Sequence, residues 1–251
     1  MSDEKMKKSS EWGEFKEFVE KEVRLIGQAI YRGQSNTEWD LITTYHRTGQ
    51  TDITLYFEKI LPFMADRIGT ITGKQWDLSK PEQRSSLLAF LQHHGFPTPL
   101  LDWTHSPYIA VYFALADSNN TQIKSDSSSV FMFDAELWLT DYKQVYNYNS
   151  PEKHVSIIQP PLQGNYNYII QQSVFMFTNI VNITKHIKLN EKKEQYLYEW
   201  KFYKKDHPYI MRELDLMNIN AMTLFPGVEG MCKKFREDFF TLVPPDLDIQ
   251  I

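Results

Sequence analysis

The most constraining feature of the chain is the dense run from Phe90 to Ala116. Leu87, Leu88 and Leu91 give a helix that leads into it, and Gly95 stands where a helix stops. Pro97 and Pro99 break any continuation, so Leu100-Leu101-Asp102-Trp103 reads as a strand. Ser106 is a good N-cap and Pro107 suits the first helical position. Ile109, Ala110, Phe113 and Ala114 then give the next helix an apolar, small-residue face. Helix end, turn, strand and new helix follow in quick succession. Polar residues from Asp102 to Ser106 sit between apolar runs, the pattern of a site carried on a rigid scaffold.

The rest of the chain supplies more helices and strands. Trp12, Phe15, Phe18, Val19, Val23 and Ile26 recur at helical spacing. Ala29-Ile30-Tyr31 reads as a short strand ended by Arg32-Gly33-Gln34, and Trp39–Ile42 as extended. Phe57, Ile60, Leu61, Met64 and Ile68 form a second helical stripe, with Pro62 a kink or break. Residues 70–82 read as a polar connection and residues 117–129 as an Asp/Ser/Asn-rich loop. Strands are expected at Val130–Phe133, Ser156–Gln159, Tyr168–Phe177 and Tyr196–Phe202, and helices at Pro208–Met217 and Gly230–Phe240. No repeat or long linker divides the chain. The expected organisation is a flexible N-terminus (1–11), one mixed α+β domain (12–242) and a C-terminal tail (243–251).

A net charge of −5 argues against strong nonspecific binding to nucleic acid or anionic membrane. The single cysteine rules out an internal disulfide and suits a reducing compartment. No secretory h-region appears, and no apolar run approaches the ~20 residues of a spanning helix. These traits lead us to expect a soluble, cytoplasmic protein without a membrane partner. There is no phosphate loop, no dinucleotide Gly-x-Gly-x-x-Gly and no Gly-x-Ser-x-Gly elbow.

Four elements in order resemble the FRG domain family. The first is Tyr31-Arg32-Gly33-Gln34. The second runs from His93-His94-Gly95-Phe96-Pro97-Thr98-Pro99 through Leu100-Leu101-Asp102-Trp103-Thr104-His105-Ser106-Pro107 into Ala110–Ala114. The weaker third and fourth are Gln171-Gln172-Ser173-Val174-Phe175 and Leu224-Phe225-Pro226-Gly227. Pro99 stands where the family more often has Arg, Ser173 replaces the usual Gly, and Glu229 stands where Asp is commoner. More distantly, the same order resembles ADP-ribosyltransferases, which carry an Arg or His at the end of a first core strand. A Ser-Thr-Ser-type strand then enters an Ala-x-x-Phe helix, and a Glu or related residue follows on a later strand. That resemblance implies a central, largely antiparallel sheet, continuous or split, flanked by helices.

It also implies NAD as a substrate. Arg32 suits a pyrophosphate through its fork of donors, and Arg32 or Gly33 would lie beside the nicotinamide amide. Thr104 and Ser106 would contact the ribose, and Tyr31, Trp103 and Tyr112 would stack on the ring. A carboxylate must stabilise the oxocarbenium-like centre; Asp102 and Glu229 are the candidates. Gln171, at the analogous position, would hold a ribose hydroxyl without supplying charge. Plainer readings stand beside each role. Arg32 is equally an ion-pair partner, Asp102 a turn cap, Thr104 and Ser106 helix caps, Trp103 a core residue and Gln171 a satisfied amide on a strand.

His93, His94, Asp102 and His105 are close in sequence, but the spacing is not that of a zinc site, and no metal is expected. Cys232 reads as a small buried side chain on a helix. Lysines at 192–193 and 201–205 sit beside acids and read as solvated faces. The leading expectation is an FRG protein that binds or cleaves NAD, with a bacterial toxin or antiphage role by resemblance. The alternative is a noncatalytic module binding a nucleotide, nucleic acid or protein. The macromolecular acceptor and the oligomeric state stay open.

Overall fold

The structure is a computed structural model. The residues it describes are 10–25, 29–116, 125–145, 147–148, 150–161 and 166–241. The expected N-terminal segment before Ser10, most of the 117–129 loop and the 243–251 tail lie outside them.

Among the described residues the strands β1 (Ala29–Gln34), β2 (Leu100–Thr104), β3 (Ser127–Asp134), β4 (Val155–Ile158), β5 (Ser173–Thr178) and β6 (Leu197–Tyr203) form one sheet. Its order is β4-β5-β2-β1-β3-β6 and every pairing is antiparallel. The helices are α1 (Ser10–Leu25), α2 (Thr44–Arg47), α3 (Ile53–Leu55), α4 (Leu61–Thr72), α5 (Pro81–His93) and α6 (Pro107–Leu115). They continue with α7 (Ala135–Asp141), α8 (Tyr166–Ile170), α9 (Ile183–Leu189), α10 (His207–Leu216), α11 (Ala221–Leu224) and α12 (Val228–Arg236). The fold is therefore α+β around an antiparallel sheet, as expected. No helix of the described residues is long and apolar enough to cross a membrane.

Alternation along the strands sends residues to two faces. Ile30, Leu101, Trp103, Phe131, Phe133 and Val174 share one core with Trp138 of α7 and Ile183 of α9. The opposite face carries two separate cores. One gathers Tyr31, Val130 and Met132 under α1, α6 and α10. The other gathers Leu100, Phe175 and Phe177 under α2 to α5. The gap between those two helical layers lies over β1 and β2.

Several boundaries differ from the sequence expectation for identifiable reasons. The first strand does not end before Arg32; β1 continues through Gln34 because β3 pairs with it residue by residue. The expected strand at Val130–Phe133 starts earlier, at Ser127, where β6 extends the ladder. Pro62 does not end its helix; it stands in the first turn of α4. A π-helical turn, Tyr56–Ile60, precedes it, with the Leu61 N–H donating to the Tyr56 carbonyl, and α4 runs on to Thr72. The expected connection at 70–82 is shortened at both ends by α4 and by Pro81, which opens α5. Tyr168–Phe177 is not one strand. Tyr168 to Ile170 are helical, and Gln172 takes the left-handed region at φ 49°, reversing the chain before β5. The apolar run misleads because Ile169 is 70 % exposed, whereas Tyr168 anchors the turn by donating to the Ala89 carbonyl and Ile170 packs on the core under α6. Cys232 is exposed on α12 rather than buried.

Candidate functional site

Strand β1 has two unlike flanks. All six of its residues are in register with β3, from Ala29 opposite Asp134 to Gln34 opposite Ser129. Against β2 it keeps one pair, Tyr31 opposite Thr104. Continuing that register would set Gly33 opposite Asp102, but the strands part there. The backbone oxygen of Asp102 is instead satisfied by a side chain: Arg32 Nη1 donates to it at 2.6 Å. Near the parted ends stands α2, whose Tyr45 N–H donates to the Thr98 carbonyl at 3.0 Å, while the Thr98 N–H donates to Thr44 Oγ1 at 3.0 Å.

The parting leaves a cleft of about 450 Å³ between the two helical layers. Tyr31, Arg32 and Gly33 line it from β1, and Asp102, Trp103 and Thr104 from β2. Ala110 and Phe113 of α6 form one wall, and Gln92 and His93 of α5 the other. The close approach of β1 to α6 demands glycine at 33: an added Cβ would lie 2.0 Å from the Ala110 carbonyl oxygen and 2.5 Å from the Ala114 nitrogen. Gln171, in the turn after α8, closes the inner end beside Thr104.

The charged groups are arranged asymmetrically. Asp102 is the exposed residue of an otherwise buried strand. Its carboxylate accepts from Gln92 Nε2 at 2.9 Å. The oxygen of the Gln92 amide accepts in turn from Thr98 Oγ1, and from Thr44 Oγ1 at 3.2 Å. The amide is thereby fixed at both ends and aims its N–H at Asp102. Burial brings the Arg32 guanidinium down to about 10; neighbouring Asp102 opposes that shift and neighbouring Arg47 adds to it. Arg32 Nε is buried without a hydrogen-bond partner among the described residues. Burial, with the charge of Asp102, raises the Tyr168 phenol. Burial and then the nearby His94 lower the His93 imidazole, while Glu229 opposes them.

The sequence-derived site residues separate into two groups. Seven of them, Tyr31, Arg32, Gly33, Asp102, Trp103, Thr104 and Gln171, line the same cleft. Ser106, Tyr112 and Glu229 do not. Ser106 is the N-cap of α6, its Oγ accepting from the Ile109 N–H at 3.3 Å. Tyr112 faces the opposite side of α6 and is 1 % exposed, so it cannot stack on a bound ring; its hydroxyl donates to Glu237 at 2.9 Å. Glu229 lies on the outer surface of α12, where Lys233 pairs with it at 2.8 Å and holds its carboxyl below the usual range.

The plainer readings also resolve. Arg32 meets a carbonyl rather than an ion-pair partner, and Asp102 lies mid-strand and caps nothing. Thr104 is a structural hub: its Oγ1 donates to the Gln171 carbonyl at 2.7 Å and accepts from the Ser106 N–H at 3.0 Å. Trp103 is 3 % exposed and packs beside Phe133, so only its margin reaches the cleft. Gln171 is in a turn, not a strand, and its Nε2 donates to the Leu224 carbonyl at 3.0 Å. Among the described residues no three His, Cys, Asp or Glu side chains gather as a metal would require.

Residues 27–122 match the family model of the FRG domain. The chain carries an FRG domain. The matched segment runs from β1 to α6 and supplies both parted strands, while Tyr168, Gln171 and Ser173 reach the cleft from beyond it. No curated protein and no solved structure matches the chain.

Among the cleft residues that escaped the sequence reading of the site are Gln92, Trp39 and Arg47. Gln92 carried a signal. It lies one turn after Leu88, a polar residue inside an apolar helical stripe. Arg47 carried none, because α2 is a single turn placed by its contacts with the 98–100 segment.

Proposed function

We propose that the cleft of this FRG-domain protein binds NAD and cleaves the bond between nicotinamide and ribose, passing ADP-ribose to water or to an acceptor. The observation that carries the reading is the Asp102 carboxylate, exposed at the floor of the cleft, oriented by Gln92 and neighboured by the Arg32 guanidinium. When the C–N bond breaks, its electron pair leaves with nicotinamide and the ribose carbon becomes oxocarbenium-like. A fixed carboxylate in a partly water-excluded site stabilises that charge. The attacking hydroxyl forms the new C–O bond and gives its proton to Asp102 or to solvent. Arg32 offers its remaining donors to the pyrophosphate. The Gln171 amide oxygen, whose N–H partner group is engaged by Leu224, is available to a ribose hydroxyl. In this reading the protein resembles ADP-ribosyltransferases, works in the cytoplasm and serves as a bacterial toxin or antiphage factor.

A second reading follows from Gln171 itself. It brings no charge to the position where a transferase would have Glu, which favours a module that holds a nucleotide without turning it over. Incubation with NAD separates the two. The catalytic reading expects free nicotinamide, and a rate lowered about 10²-fold or more in Asp102→Asn at unchanged thermal stability. It also expects Arg32→Ala to abolish activity while the protein stays folded. Binding of NAD without nicotinamide release supports the noncatalytic reading. Neither binding nor turnover by a folded protein removes both.

A further inference from the structure

The open end of the cleft holds two side chains that the proposed chemistry does not use. Trp39 lies just beyond β1, lines the cleft and is 44 % exposed. Its backbone is held from both sides: its N–H donates to the Asn36 carbonyl at 3.4 Å, and its carbonyl accepts from Gln34 Nε2 at 2.9 Å. A large aromatic ring left half in water on a braced loop is a stacking surface rather than core. Arg47, in the last turn of α2, lines the same end and is exposed.

Arg47 is close enough to Arg32 to disfavour its charge. Among the described residues neither guanidinium forms an ion pair with a carboxylate. Asp102 offsets part of the cost of burying Arg32, but its carboxylate is held from the Gln92 side and carries one charge against two guanidiniums. An anion bound from outside would complement the charge left over.

We infer that Trp39 and Arg47 form a subsite for the nucleoside diphosphate half of the ligand, Trp39 stacking on a purine ring and Arg47 clamping the phosphates from the side opposite Arg32. This rests on the reading of the cleft as a dinucleotide site, but it concerns recognition, not bond cleavage. Base stacking on one aromatic residue is worth about 1–3 kcal/mol, which corresponds to roughly a 5- to 150-fold change in affinity at about 1.4 kcal/mol per factor of ten.

The test is calorimetric titration of the full chain with ADP and, separately, with inorganic pyrophosphate. Trp39→Ala is expected to weaken ADP about tenfold or more and to leave pyrophosphate unchanged; Trp39→Phe restores most of the loss. Arg47→Ala is expected to weaken both probes and to flatten the salt dependence of binding. Both side chains are exposed, so the melting temperature should hold, which separates lost contacts from lost fold. Failure of ADP to bind the wild-type protein, or unchanged ADP affinity in both variants, overturns the inference. Nicotinamide release with unchanged ADP affinity in both variants would overturn the subsite and leave the proposed activity standing. Residue-dependent ADP binding without nicotinamide release would do the reverse.

Discussion

The two flanks of β1 show how one strand serves as scaffold and as site. On the β3 side every residue is paired, and the inward side chains enter two continuous cores. On the β2 side one pair remains, and the unmet carbonyl of Asp102 is taken up by Arg32. A saturated ladder leaves no polar group for a ligand. An interrupted one leaves carbonyls and side chains that must be satisfied in another way, and that requirement gathers Arg32, Gln92 and Asp102 in a small volume. The interruption is tolerated because the β3 ladder holds β1 and because β5 holds β2 along its whole length.

If the flanks are separable in this way, scaffold changes should alter stability and leave ligand affinity of the folded protein intact, whereas cleft changes should alter binding or turnover. The largest effect belongs to Gly33→Ala. The new methyl would collide with backbone atoms of α6 at 2.0 and 2.5 Å, neither of which can rotate away. Denaturant melts should show a loss of about 3 kcal/mol, and the same variant folding with normal stability would mean that α6 is free to lift. Gln92→Ala tests the opposite flank. It frees the Asp102 carboxylate and leaves the buried Thr98 hydroxyl without its acceptor. Nicotinamide release should fall about tenfold, with a stability loss of about 1–2 kcal/mol that is too small to explain the rate.

The pH dependence of stability should come from the scaffold. Burial, with neighbouring His186, pushes the His154 imidazole from 6.5 down to about 4. The unfolded chain then binds a proton that the folded chain refuses. His154 therefore contributes stability above pH 6.5 that is lost as the pH falls towards about 4. His154→Asn should reduce the slope of stability across that window by about one proton per chain without changing ADP affinity. The smallest effect is expected from Tyr112→Phe, which removes the donor to the buried Glu237 carboxylate. A loss of about 1 kcal/mol with unchanged turnover would place Tyr112 with the scaffold; a loss of turnover at unchanged stability would return it to the site.

Much of the scaffold was legible because its signals are local. The Ser106-Pro107 cap, the Gly95 stop and the Leu100–Trp103 strand each depend on a few neighbouring residues, and each is present, the strand running one residue further to Thr104. The third family element was read less well. A run of β-favouring residues from Tyr168 reads as strand until the left-handed Gln172 and the exposed Ile169 are seen.

The candidate site divides along the same line. The residue sequence alone determined that Tyr31 and Asp102-Trp103 occupy strands, since alternation and capping are set within a few residues; pairing with β3 and β5 is what carries the strands on through Arg32-Gly33 and Thr104. It could not determine which side of α6 Tyr112 faces, because that helix is apolar nearly all round and carries no stripe to orient it. Nor could it bring Arg47 into the cleft or Gln92 to Asp102. Those meetings follow from the parting of β1 and β2, which depends on pairings between strands far apart in the chain. Local physics chose the strands, and long-range register decided where the sheet opens and what lies in the opening.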